Sequence, residues 1–201
     1  MLNHEMREWP RASSAVFFKV QDAFGGLSNM SNAFGLEIGD LRVGSSEALY
    51  QALKYPHLPN AQREILDWKG AFGAKLKAKV WRQRVRADWN EVRVEVMSWV
   101  IQVKLAQNPI MFSKALRETV RKGQPLAIVE QSRKDDFWGA KEVADEQGRV
   151  VLRGTNVLGQ LLMELRSELE ERGLEAMKVV PAPSFPDALL LERPLGAVRG
   201  R

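Results

Sequence analysis

The sequence predicts a single, mainly α-helical domain with a few short strands, and three observations carry that expectation. The chain has 201 residues, 45% hydrophobic and 27% charged, enough for one domain with a sizeable core. Apolar residues recur at three- and four-residue spacing over residues 45–55, 89–107 and 157–172, the period of an α-helix. The β-type runs are short and isolated, as in Val16-Phe17-Phe18-Lys19-Val20 and Leu126-Ala127-Ile128-Val129-Glu130.

In chain order, residues 1–15 are polar and expected to be poorly ordered. After the first β-type run comes a glycine- and serine-rich loop, Phe24 to Asn32. Leu36 to Val43 suits a hairpin turning near Gly39-Asp40. Ser45 and Ser46 are good N-cap residues for a helix running to Tyr55. Pro56 and Pro59 stop it, and Asn60 is the expected cap of the next helix, up to Trp68. Asp88-Trp89-Asn90-Glu91 has the spacing of a capping box. The helix that follows carries Val92, Val96, Trp99, Val100 and Val103 as its core stripe and should end near Gln107. Asn108-Pro109 opens another helix, expected to end at Gly123. A hairpin is expected around Glu146-Gln147-Gly148. Asn156 can cap the last strong helix, Val157 to Arg172, which Gly173 ends. Residues 174–201 hold four prolines and read as an extended arm or loose tail. Truncation after Gly173 is therefore expected to leave a folded domain.

Composition removes several chemistries. There is no cysteine, hence no disulfide, thiol nucleophile or thiolate metal site. His4 and His57 are the only histidines, which argues against a histidine metal centre or a Ser-His-Asp triad. No metal or cofactor is expected. No apolar run is long enough to span a bilayer, and the N-terminus lacks a secretory h-region. A cytoplasmic protein without membrane partners is the expectation. The net charge of +5 suits anionic partners without identifying them.

Two stretches stand out. In the helix opened by Ser45, Glu47, Tyr50, Gln51 and Lys54 share one face, and most other positions are Ala or Leu. Such a helix should be largely buried, with few polar groups aimed at a cavity or at partners. Alternatively, Glu47 only favours the helix N-terminus and Lys54 snorkels to solvent. The second stretch, Lys69 to Arg86, holds Lys69, Lys75, Lys77, Lys79, Arg82, Arg84 and Arg86 and no acid. It suits either a solvated face or a phosphate-facing surface.

Four segments, in order, resemble the NADAR superfamily of YbiA-like N-glycosidases. Leu27-Ser28-Asn29-Met30 resembles its FSNF loop, and Ser46-Glu47-Ala48-Leu49-Tyr50-Gln51-Ala52-Leu53-Lys54-Tyr55 its SEHYFQAQKF helix. Asp135-Asp136-Phe137-Trp138-Gly139 resembles its D-x-[YF]-W-G loop. Asn156-Val157-Leu158-Gly159-Gln160-Leu161-Leu162-Met163-Glu164-Leu165-Arg166 resembles its N-x-L-G-x-L-L-M-x-[IL]-R segment. Ala48 stands where the family usually has His, and Met30 where it has an aromatic; both departures bear on the substrate. The resemblance implies a single-domain orthogonal helix bundle with a few short β-strands over residues 16–173. It implies N-glycosidic cleavage, either releasing ADP-ribose from modified guanine or splitting a ribosylated pyrimidine intermediate of riboflavin synthesis. It assigns Glu47, Lys54 and Asp135 to catalysis. It also places Trp89 and Trp138 at positions associated with the site; Ser28, Asn29, Tyr50, Gln51, Gly139 and Asn156 from the matching segments, and Arg82 and Arg84 from the basic stretch, complete the candidates for binding substrate.

The chemistry suits these residue types. The anomeric carbon becomes oxocarbenium-like as the bond breaks, and glycosidases meet that charge with paired carboxylates; Glu47 and Asp135 are the available pair. Lys54 can attack the anomeric carbon when neutral, or hold Glu47 or the departing base when charged. Trp89 and Trp138 can stack on a base or pack in the core. Glu47, Lys54 and Asp135 are expected to converge on one pocket, with one or two of Arg82, Arg84 and Arg86 at its mouth. The partners expected are an ADP-ribose-containing or phosphoribosyl substrate, including ADP-ribosylated nucleic acid. A non-catalytic binder of ADP-ribose or nucleic acid is the competing class.

Overall fold

A computed structural model describes residues 5–200; His4, the rest of the first four residues and Arg201 lie outside the described residues. The chain is 42% helix and 21% strand, a mixed α/β architecture. This corrects the expectation of a mainly α orthogonal bundle. The strands are two to five residues long, too short to carry a period-2 pattern that a sequence could display.

The chain opens with β1 (Arg7–Pro10) and β2 (Ser14–Phe17), then the hairpin β3 (Leu36–Ile38) and β4 (Leu41–Val43). Helices α1 (Ser46–Ala52), α2 (Pro59–Leu66), α3 (Ala71–Val80), α4 (Trp89–Gln107) and α5 (Pro109–Arg117) follow. Next come β5 (Val120–Arg121), β6 (Gln124–Pro125), β7 (Ala127–Glu130), β8 (Lys141–Ala144) and β9 (Val150–Gly154), then α6 (Val157–Ala176). The C-terminal segment adds β10 (Val179–Val180), β11 (Leu189–Leu190), β12 (Arg193–Pro194) and β13 (Val198–Arg199). Contacts divide the chain into two compact units: residues up to 28 with 113–173, and residues 29–112 with 174 onward.

In the first unit, β1, β9 and β8 form an antiparallel sheet, with Trp9 opposite Leu152. Arg7–Pro10, expected to be loose, is held there because Trp9 is buried and its Nε1 donates to the Gly154 carbonyl at 3.1 Å. Strand β2 pairs in parallel with β7, and Trp9, Val129, Ala140 and Leu152 form a small core. α5 ends at Arg117, short of the expected Gly123. The chain instead turns through Lys122 and Gly123, both at positive φ (51° and 75°), to pair β5 with β6, a two-residue hairpin turn. Gly173, at φ 75° and ψ 161°, interrupts α6, as its position past the apolar stripe suggests.

In the second unit, α1 packs against α2, α3 and α4. α2 starts with Pro59 in its first turn rather than with an Asn60 cap. The capping box at Asp88 does not form, because the Asp88 carboxylate is taken by Arg86, at 2.6 Å from Nε and 2.8 Å from Nη2. The last residues are a packed arm. Val180, Phe185, Leu190, Leu195 and Val198 are buried, and Trp99 Nε1 donates to the Pro181 carbonyl at 3.0 Å. Gln62 Nε2 donates to the Leu189 carbonyl at 2.9 Å, and Arg86 Nη2 to that of Pro186 at 2.7 Å. The expectation that truncation after Gly173 leaves a folded domain is therefore reversed. Each such side chain contributes about 1.5–3 kcal/mol against a total stability of about 5–15 kcal/mol. Thermal unfolding of a 1–173 chain should show no cooperative transition of the second unit; an unchanged Tm would mean the arm adds nothing.

Candidate active site

Helix α1 begins as its serines dictate: Ser45 is extended (φ −165°, ψ 160°) and its side chain accepts from the Ala48 N–H at 3.2 Å. All seven residues of α1 are buried, as the inverted polar pattern requires. Glu47 is thus a carboxylate inside the unit. Its N–H donates to the Asn29 carbonyl at 3.1 Å. Its Oε1 accepts from Gln51 Nε2 at 2.8 Å, one helical turn on, and Lys75 Nζ of α3 stands 3.7 Å away. A buried carboxylate needs such partners.

Lys54 follows the helix in a turn, and its carbonyl accepts from the Arg86 N–H at 2.9 Å. Its ammonium nitrogen lies 5.3 Å from the ring centroids of both Tyr50 and Trp89; the rings themselves are 5.1 Å apart and inclined at 54°. Burial lowers the Lys54 pKa to about 8; Glu47 opposes the shift, and Lys75 and Arg93 add to it. The ring faces favour the ammonium, so burial prevails over two attractions. Roughly a tenth of such an amine is neutral at pH 7, against well under a thousandth at the ordinary lysine value.

The structure thus brings Glu47, Tyr50, Gln51, Lys54 and Trp89 together within the second unit. Asn29 joins them through its backbone, while its buried side chain donates to Met97 Sδ at 2.9 Å. Lys75 is the residue the sequence reading passed over: it belonged to an acid-free run, but only the packing of α3 on α1 singles it out. Arg82 and Arg84 are exposed on the turn after α3. Arg84 and the buried Arg86 line an open cleft of about 710 Å³ with His57, Asp88 and Asp187. Arg86 is committed to Asp88 and the C-terminal arm.

The other candidates belong to the first unit. Ser28 is buried and ends a 3-10 turn, its N–H donating to the Gly25 carbonyl at 3.1 Å. Asp135 Oδ1 accepts from the N–H groups of Phe137 (3.0 Å) and Trp138 (2.9 Å), so this carboxylate shapes its own loop. The carbonyls of Phe137 and Trp138 accept from the first N–H groups of α6, Val157 at 2.9 Å and Leu158 at 3.1 Å. Gly139 has no room for a side chain: a Cβ would lie 2.4 Å from the Glu130 carbonyl oxygen. Asn156, at φ 52°, spends its amide on β7, accepting from Glu130 N at 3.1 Å and donating to the Ile128 carbonyl at 2.8 Å. Asp135→Ala should therefore loosen the loop and cost about 1 kcal/mol, the usual worth of such a side-chain cap, measured by denaturant unfolding. An unchanged midpoint would leave the two hydrogen bonds without energetic weight.

Among the described residues, no group of three His, Asp or Glu side chains could hold a metal, and no helix is long and apolar enough to cross a membrane.

The sequence profile of the NADAR domain matches residues 16–170. The chain belongs to the NADAR family. A riboflavin biosynthesis protein of Vibrio vulnificus is 34% identical over 127 residues, 63% of this chain and 31% of that protein. A chloroplastic riboflavin biosynthesis protein of Zea mays is 32% identical over 166 residues, 76% of this chain and 25% of that protein. The chain thus spans less than a third of the length of these two relatives. N-glycosidase YbiA of Escherichia coli is 28% identical over 156 residues, 76% of this chain and 86% of that protein. The NMR structure of YbiA superposes with a TM-score of 0.61 at 26% identity, over 81% of this chain and 89% of that one. The fold of this NADAR chain is YbiA-like.

Proposed function

We propose that this NADAR chain is an N-glycosidase that cleaves the bond between a nucleobase and C1′ of a ribose, with ADP-ribosylated guanine as the substrate and ADP-ribose as the released product. The observation that carries the reading is the half-buried Lys54 amine, held near pH 8 in the field of the buried Glu47 carboxylate and beside two aromatic rings. The names of the YbiA relatives support the reaction class.

In this mechanism the neutral Lys54 amine attacks C1′, and Glu47 stabilises the positive charge that develops there. The C–N bond breaks, and the base leaves with the electron pair and takes up a proton. The amine then loses its proton and the furanose opens at O4′, giving a Schiff base. Water hydrolyses it, which returns the free amine and the sugar. The ring of Trp89 or Tyr50 offers a face for the base. A binder without catalysis would need no desolvated amine in the field of a buried carboxylate.

A second substrate is favoured by the names of the Vibrio and maize relatives: a ribosylated pyrimidine intermediate of riboflavin synthesis. The mechanism is the same, with a smaller base. Incubating purified protein with ADP-ribosylated guanosine and with the pyrimidine intermediate decides between them. Cleavage of the first alone supports the leading reading, and cleavage of the second alone replaces it. Binding without cleavage of either returns the chain to the binding-module class.

A further inference from the structure

Helix α3 is two-sided in an unusual way. Ala71, Gly73, Ala74 and Ala78 are buried, and the opposite side is a row of large apolar side chains where lysines and glutamates belong. Phe72 is 66% exposed, Leu76 45% and Val80 71%, at four-residue spacing. Trp68, 54% exposed, lies beside the row. Its ring covers Gly73 so closely that a Cβ there would sit 1.8 Å from the ring, and Lys77 Nζ stands 5.8 Å from its centroid. Among the described residues, Ile110 and Met111 are an exposed apolar pair on α5, and the other exposed large apolar residues outside the α3 face lie on other segments; none of these forms a row of three along one helix. A contiguous apolar patch of this kind marks an interaction surface.

Lys69, Lys75, Lys79 and Arg82 are exposed around the row. Lys77 is engaged with Glu64 at 2.8 Å, and Asp67 is an exposed acid at the near end. The surround is therefore predominantly cationic. A second copy of this face would set lysine against lysine. A bilayer calls for side chains that project, and the Trp68 ring is packed against Gly73 of α3. A nucleic-acid strand needs successive ring faces, and Leu76 and Val80 have none. Four-residue spacing along about 12 Å of helix is the seam one helix offers another.

We propose that the α3 face formed by Trp68, Phe72, Leu76 and Val80 docks an acidic amphipathic helix of a partner protein. Apolar side chains of that helix enter the seam, and its flanking carboxylates meet Lys69, Lys79 and Arg82. The inference stands apart from the cleavage reading, since no residue of the row belongs to the proposed catalytic pair.

The test uses the full chain and a set of synthetic 18-residue helices with Leu at four-residue spacing and Glu on both flanks. Binding is read by calorimetry, with phosphatidylserine vesicles and a single-stranded oligonucleotide as separate arms and sedimentation for self-association. Micromolar peptide binding is expected, weakened at least tenfold by Phe72→Ser or Leu76→Ser. Lys79→Glu should weaken it and a Glu→Lys change in the peptide restore it. Circular dichroism confirms that these exposed-site variants remain folded. The proposal is overturned if no peptide binds, or if binding ignores these substitutions. It is equally overturned if vesicles, oligonucleotide or self-association, rather than the peptide, show the dependence on Phe72 and Leu76.

Discussion

Single-turnover cleavage by the Glu47→Gln variant is expected to fall roughly 100- to 10,000-fold while the ligand still binds. The substitution keeps the shape and removes the charge. A glutamine at 47 can still accept from Gln51 Nε2, now 2.8 Å from the carboxylate, so the fold of α1 should survive. What disappears is the negative charge facing a developing positive one, an interaction made mainly in the transition state. A purely structural Glu47 predicts the opposite pattern: a lower Tm with unchanged turnover per folded molecule.

The second large effect belongs to Lys54. Cleavage should rise with pH through about 8, the value to which burial lowers its amine, and Lys54→Ala should lose both the rate and the inflection. Neighbouring charges give the inflection a direction. Glu47 raises the Lys54 pKa and Lys75 lowers it. Residual cleavage by Glu47→Gln should therefore inflect at lower pH, and cleavage by Lys75→Ala at higher pH. Stability carries the same signature. Between about 8 and the ordinary 10.5, the unfolded chain holds the proton that the folded one has released. Folding stability should then increase with pH across that window, and in Lys54→Ala that increase should vanish. A profile of the parent protein as flat as that of Lys54→Ala would mean that the amine titrates at its ordinary value.

How much of this was visible in the chain depends on the length of the signal. α1, α4 and α6 carry seven or more residues of helical pattern, and the sequence reading found them within a few residues. The burial of α1, Glu47 included, followed from its Ala- and Leu-rich character. The strands were less legible. Arg7–Pro10 and Val179–Val180 acquire their identity from partners about 145 and 20 residues away, and no local pattern announces such pairing. The cap at Asp88 failed for a related reason: Arg86 two residues upstream competes for the carboxylate with two charge-assisted hydrogen bonds. Asn156 was expected to cap α6, yet its amide goes to β7, a choice set by tertiary packing. Asp135 likewise spends one carboxylate oxygen on the N–H groups of Phe137 and Trp138, and Asp135→Asn in the single-turnover assay separates that loop role from a part in cleavage.

The most direct measurement traps the intermediate. Protein, substrate and borohydride are combined during turnover, and the reduced adduct is mapped by mass spectrometry. The account predicts a sugar attached to Lys54 through its side-chain nitrogen, and no adduct in Lys54→Ala. Full cleavage by Lys54→Ala, or an adduct on a different lysine, would contradict it.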